Sequence, residues 1–320
     1  MRALLASSAA VLVLVASAFA RQDGGTPVAL VTAEQQNALL AVELPSGKVL
    51  RRTSLPADPQ NVAIGLNTAV VVSPRSHAVT LLNWKTLRVL KVIRSFAAPH
   101  IVAIGPGGHL GYVTDDARGM LNTIDLRSMR VVDRLVVGIG AHHLAISPGG
   151  GRAWIALGEQ AREIAIVSLA NPRKPTPVRR FSPGFVVHDV TFTPDTRRVW
   201  VTSGTGDLVY ALDSRTGKKI FAVRVGAPPQ HVAISDVFNG KYAYATSGYD
   251  GRIVKVNTWT GHVVASAATP RGSFNVSTTG GLVVTSSLLG GQVTELDLDL
   301  RRIRSTRVAR AARGVALTVW

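Results

Sequence analysis

A short apolar triplet returns seven times along the chain, and this repeat limits the fold more than any other feature. It stands at Val62-Ala63-Ile64, Val102-Ala103-Ile104, Leu144-Ala145-Ile146, Val190-Thr191-Phe192, Val232-Ala233-Ile234, Phe274-Asn275-Val276 and Val315-Ala316-Leu317. Successive copies are 40, 42, 46, 42, 42 and 41 residues apart, the spacing of a propeller blade. A second apolar run keeps step with the first, from Leu30-Val31-Thr32 to Val283-Val284-Thr285. One full copy shows the unit: His231–Ser235, Tyr242–Thr246, Arg252–Asn257 and His262–Ala267 alternate apolar and polar residues. Between these runs lie Asn239-Gly240, Tyr249-Asp250-Gly251 and Thr260-Gly261, residues that tolerate positive φ or bond locally to the backbone. Period-two patterning with turns this close describes four-stranded antiparallel meanders rather than helices.

The two ends are out of phase. The first run of the chain, Ala29–Thr32, is a second strand, and the last, Gly314–Trp320, is a first strand. Pairing the two leaves no incomplete blade and no open hydrophobic face. The expected fold is therefore all-β, a closed seven-bladed β-propeller whose C-terminal strand completes the N-terminal blade. Segments such as Pro99–Asp125 and Gln230–Gly261 resemble the YVTN-type repeat of the YncE-like propeller proteins, and the likeness extends over nearly all of residues 28–320. The resemblance implies the fold. Related propellers include binding proteins, lactonases and redox enzymes, so it does not fix the function.

Residues 1–20 have the composition of a secretory signal peptide: Arg2, an apolar run from Ala9, and Ala18-Phe19-Ala20 as a small-x-small cleavage site. The run is shorter than the about 18–20 residues of a membrane span. Residues 21–27 then form a polar leader, no lipid-acceptor cysteine follows, and the mature chain is expected to be exported, without a transmembrane segment and monomeric. The sequence has no cysteine at all, which excludes disulfides, thiol nucleophiles, cysteine-zinc sites and c-type haem attachment. Stability must come from packing alone.

With 36 Lys and Arg against 19 Asp and Glu, the formal charge is +17. Much of it falls on predicted fourth strands and their turns, including Arg51, Arg52, Arg130, Arg134, Arg179, Arg180, Arg302 and Arg304. Such a rim could engage a polyanion, either nucleic acid or an acidic wall polymer. Cations on exposed outer strands also block edge-to-edge association, and they encircle the rim instead of gathering on one face. No aromatic residues are interleaved as a base-stacking platform.

In a four-stranded meander the residues just before each triplet line one mouth of the central channel. Two positions upstream stand Gln60, His100, His142, His188, Gln230, Gly272 and Arg313; one position upstream stand Asn61, Ile101, His143, Asp189, His231, Ser273 and Gly314. Five of the eight histidines thus fall on one rim. Three readings follow. The imidazoles and amides bond the backbone of the neighbouring blade, as buried polar groups must find partners. Alternatively, Gln60, His100, His142, His188, Gln230, His231 and Arg313 hold a small polar or anionic ligand at the pore. Or His100, His142 and His188 ligate a metal, since clustered imidazoles suit zinc, copper, iron or nickel; blade spacing sets whether the rings are close enough.

Loops on the same face contribute Glu34, His77, Asp115, Asp116, Glu159, Asp207, Tyr249 and Asp250. Asp115-Asp116 is the one paired carboxylate, as calcium needs, and Asp next to Arg118 and Gly119 also describes a turn. His188 and Asp189 are adjacent, so on a regular strand they face apart and form no dyad. There is no G-x-S-x-G, H-E-x-x-H or P-loop, and Ser203-Gly204-Thr205-Gly206 joins two strands without a helix to receive phosphate. Ala211–Phe221 resembles the tryptophan-docking motif of quinoprotein propellers with Phe221 in the tryptophan place, and it also reads as a third-to-fourth-strand hairpin. The combined expectation is a binding or scaffold propeller with its ligand site at the His-lined mouth, no cofactor being required and a metal being compatible. The alternatives are a lactonase-like hydrolase or metal-dependent redox enzyme on the same histidines, and polyanion binding by the rim.

Overall fold

The computed structural model describes residues 25–320, so the expected signal peptide and most of the leader lie outside the described residues. The rest forms seven four-stranded antiparallel sheets. Blade 6 shows the pattern: Val232–Ile234, Tyr242–Ser247, Arg252–Asn257 and Val263–Ala268, in that order from the axis outward. Its predicted turns take the backbone they require, with Asn239 at φ 51°, Gly240 at 70° and Gly251 at 61°.

Blade 1 is assembled from both ends of the chain. Ala312–Val319 pairs antiparallel with Pro27–Ala33 in the register Ala29↔Leu317, Leu30↔Ala316, Val31↔Val315. Thr26 and Trp320 exchange backbone hydrogen bonds at 2.8 and 2.9 Å beyond the strand ends. The ring is therefore closed by backbone pairing within a blade. Among the described residues no helix is long and apolar enough to cross a membrane.

The core lies between blades rather than within them, because one sheet cannot cover its own two faces. Seven clusters of buried side chains occupy the seven blade interfaces. The one between blades 7 and 1 joins Val284 and Val293 to Leu40, Val42 and Val315, so the closing interface is packed like the others. Second strands are covered on both sides, as in Pro27–Ala33 and Leu282–Ser287, while outermost strands such as Val49–Ser54 are mostly exposed. The arginines of the rim project from these outer strands into solvent.

The hairpin resembling a docking motif has a packing role. Gly217 and Gly261, both at positive φ, lie against Phe181 and Phe221 of the preceding blade; a Cβ on either would come within 2.7 or 2.8 Å of the ring. Blades 5 and 6 thereby seat a bare glycine on an aromatic face. Arg198 covers the Phe221 ring at 5.6 Å.

Candidate functional site

The chain enters its innermost strands through an irregularity that aims side chains at the channel. In blade 4 the His142 N–H donates to Ala156 O at 2.9 Å and the Ala156 N–H donates to His143 O at 2.8 Å. Two residues thus oppose one, which is a β-bulge. Gln230 and His231 share Thr246 in the same manner, and pairing also shifts between Pro99 and Val102 and between Val187 and Val190. Strict alternation is broken at this point of the blade, so neighbouring residues can both reach the mouth.

Imidazoles from blades 3, 4, 5 and 6 converge there. Ring centroids are 3.6 Å apart for His100 and His142, which stack, 4.9 Å for His142 and His143, 4.5 Å for His143 and His188, and 4.8 Å for His143 and His231. The anticipated limit of blade spacing does not apply, because the bulges carry the rings inward. Nitrogen atoms of His100, His142 and His143 lie within 4.8 Å of one another, and so do those of His143, His188 and His231.

Carboxylates stand behind these rings. His143 Nδ1–H donates to Asp189 Oδ1 at 3.0 Å, and His231 Nδ1 lies 3.4 Å from Asp189 Oδ2. The same carboxylate accepts the Val232 backbone N–H at 3.0 Å, while the Asp189 N–H donates to Thr202 Oγ1 at 2.8 Å. His142 Nδ1–H donates to Asp116 Oδ2 at 2.9 Å. Three of the five rings therefore have Nδ1 turned to a carboxylate, which sets the tautomer and leaves the lone pair on Nε2. His100 and His188 make no side-chain hydrogen bond among the described residues.

Burial sets the charge state of the cluster. It pushes His100 well below the usual imidazole range, with His142 and His143 reinforcing the shift, and it does the same to His188. His143 is lowered too, burial outweighing the opposing pull of Asp189. Burial works against the Asp189 charge, but His231 and the hydrogen bond from His143 hold this carboxyl below the ordinary carboxylate range. His100, His143 and His188 are thereby held neutral beside a buried anion, and the neutral ring is the form that ligates metal.

The bonds expected from these imidazoles to the neighbouring blade are made by other residues. Thr32, Thr114, Thr202 and Thr246 donate their hydroxyls to the carbonyls of Gln60, His142, Gln230 and Phe274 at 2.6–3.2 Å, and Ser286 donates to Arg313 O. A second-strand hydroxyl thus ties five of the seven blades to the next, Val72 and Ala156 standing at this place in blades 2 and 4.

Gln60, His100, His142, His188, Gln230, His231 and Arg313 all line one cavity of about 290 Å³. Within it their circumstances differ. Gln60 donates to both oxygens of Asp58 at 3.0 Å. Gln230 donates to Pro228 O and accepts the Gly248 N–H at 3.1 Å. Arg313 pairs with Glu34 at 2.6 Å, so its charge is matched locally. In place of the set His100, His142 and His188, the structure groups His143 with either pair of rings. His143, only 3% exposed, is the hub of both groups. The doublets His142-His143, His188-Asp189 and Gln230-His231 ahead of the apolar triplets were its signal.

The remaining acidic positions are accounted for locally. Asp115 accepts the N–H groups of Ala97 and Ala98 at 2.8 and 2.9 Å while Asp116 serves His142, so the two do not form a joint cation site. A second recess of about 570 Å³ adjoins the rings, walled by Asp116, His142, His188, Gln230 and Tyr249 among others.

No protein-family model and no curated protein sequence matches the chain. Solved structures do. A functionally unknown protein from Desulfotomaculum acetoxidans DSM 771 superposes with a TM-score of 0.78 at 16% identity, over 91% of this chain and 98% of that one. Kuenenia stuttgartiensis hydrazine synthase gives 0.74 at 17% identity, over 84% of this chain and 91% of that one. Apo AztD from Citrobacter koseri gives 0.73 at 9% identity, over 92% and 98%. At these identities the likeness is one of fold, the β-propeller.

Proposed function

We propose that this protein is a YncE-like propeller, exported by its first 20 residues, that binds a late first-row transition-metal ion such as zinc or copper at the mouth of its channel. The reading rests on one observation: five imidazoles from four consecutive blades form two three-nitrogen groups that share His143, three of the five rings being backed by a carboxylate at Nδ1. Nitrogen ligands about 2.0–2.1 Å from zinc lie roughly 3.3 Å from each other in a tetrahedron. The present separations reach 4.8 Å, so ligation draws the rings together by about 1.5 Å. Carboxylate–histidine–metal arrangements of this kind orient the ring and raise its basicity.

Metal analysis and zinc titration of the untagged chain test it. One equivalent bound in wild type and lost in His143→Ala is the expected result. Absence of zinc binding at micromolar concentration would remove the proposal.

A second reading uses the same ion for hydrolysis. Three protein nitrogens leave a coordination position open, as catalytic sites do, and the 570 Å³ recess borders His188. Metal-dependent turnover of lactones or esters, abolished by chelation, is its signature. The arginine rim favours neither reading; binding of a polyanion there would weaken steeply with salt, and a flat titration excludes it.

A further inference from the structure

The two three-histidine groups are not independent, since each contains His143. Its Nδ1 is engaged by Asp189, which leaves one lone pair, on Nε2, and one imidazole nitrogen ligates one ion at a time. The centroid of the His143 ring is 4.9 and 5.3 Å from those of His142 and His100, the first pair. It is 4.5 and 4.8 Å from those of His188 and His231, the second pair. The two pairs are held differently. His231 shares the buried Asp189 with His143, so the second group is braced by a fixed anion. His142 leans on a partly exposed Asp116, and His100, which makes no side-chain hydrogen bond among the described residues, stacks on His142. The larger recess is walled by His142 and His188, one ring from each group, so a ligand entering there reaches both positions.

We propose that the cluster is a two-station site: a single ion, always bonded to His143 Nε2, moves between the His100–His142 pair and the His188–His231 pair. The step is ligand exchange, in which two metal–nitrogen bonds break as two form; no electron is transferred and the His143 bond persists. This rests on the metal reading above and adds that the mouth passes an ion on instead of storing it. Asp189 makes the His188–His231 station the tighter one; the other, with its less constrained rings, is the station from which the ion is exchanged. The long contact from Asn275 Nδ2 to His231 Nε2, 3.4 Å, is displaced when the tighter station fills.

Zinc titration of the untagged chain, followed by long-range 1H–15N spectra of the histidine rings, tests the idea. All five ring signals should shift together and stop at one equivalent. His188→Ala should still take one equivalent, about tenfold or more weakly, with His100 and His142 carrying the shift. His100→Ala should retain one on the opposite pair. An end point at two equivalents, unmoved His100 and His142 signals, or complete loss of zinc in His188→Ala would each overturn the two-station arrangement while leaving metal binding intact. Failure of every ring to respond would instead remove the metal reading and this inference with it.

Discussion

Blades 3 to 6 and blades 7, 1 and 2 share one template but present different mouths. At equivalent positions the first group offers His100, His142, His188 and Gln230, with His143 and His231 at the next position, whereas the second offers Phe274, Arg313 and Gln60. The bonds that join blades do not follow this division. Thr114, Thr202 and Thr246 in one half, and Thr32 and Ser286 in the other, donate to the next blade's carbonyl in the same way. These hydroxyl bonds join five of the seven blades to the next without an imidazole. Where the imidazoles occur they add bonds of their own, His142 to Asp116 of blade 3 and His143 to Asp189 of blade 5.

If the halves are one scaffold, cutting their shared closure should cost both. Removing residues 312–320 takes the innermost strand from blade 1 and exposes the cluster between blades 7 and 1. The expected outcome is loss of the cooperative urea transition for the whole domain; persistence of a sharp transition would mean that blades 3 to 6 fold alone.

A smaller effect separates blades 6 and 7 by pH. Lys255 and Glu295 occupy the same place in their third strands, opposite Tyr244 and Val284, and both are buried. Lys255 reaches Asp299 at 2.8 Å and the Tyr242 ring at 4.0 Å. Glu295 makes no side-chain hydrogen bond among the described residues, and burial pushes it up to about 8, only partly opposed by Arg304. Below the ordinary value of 4.5, folded and unfolded chains both hold this proton. Between 4.5 and about 8 the unfolded chain has released it and the folded chain has not, so stability falls as pH rises, and above that it levels off. The slope is at most about 1.4 kcal/mol per pH unit. Denaturant midpoints across this window should show the fall in wild type and lose it in Glu295→Gln; an unchanged slope in the variant would clear Glu295 of the effect.

The comparison sharpens with one carboxylate from each half. Asp189→Asn should weaken zinc binding about 10–100-fold in a chelator competition, since it loosens His143 and His231 together. Glu34→Gln, which unpairs Arg313 across the mouth, should leave zinc affinity unchanged. Equal losses in the two variants would show that general mouth charge, not orientation of particular rings, governs binding. Smallest of all, Thr32→Val and Thr246→Val should each cost about 1 kcal/mol by urea unfolding. Unequal costs would contradict the equivalence of the two half-rings.

Blade number, strand order and ring closure were legible because each rests on periodicity, which survives any local irregularity. The triplet spacing and the mismatched ends were sufficient. Which side chains meet at the mouth was only partly legible. His143 was counted on the rim but left out of the metal set, and its inward place comes from the bulge, where two residues oppose Ala156 and a regular strand would place one. A one-residue bulge reverses the facing of everything before it, and no composition signal marks it. The partners of the rings were also beyond reach: Asp189 in blade 5 meets His143 of blade 4 and His231 of blade 6, residues 46 and 42 positions away. Likewise, the hydroxyls of Thr114 and Thr246 look like ordinary strand residues until the next blade is in place.

The pairing of Ala312–Val319 with Pro27–Ala33 also sets a timetable. During synthesis the blades carrying the histidines are made in the middle of the chain, while blade 1 waits for its axial strand until about 280 further residues have emerged. The nascent polypeptide consequently stays unlatched for nearly all of its production.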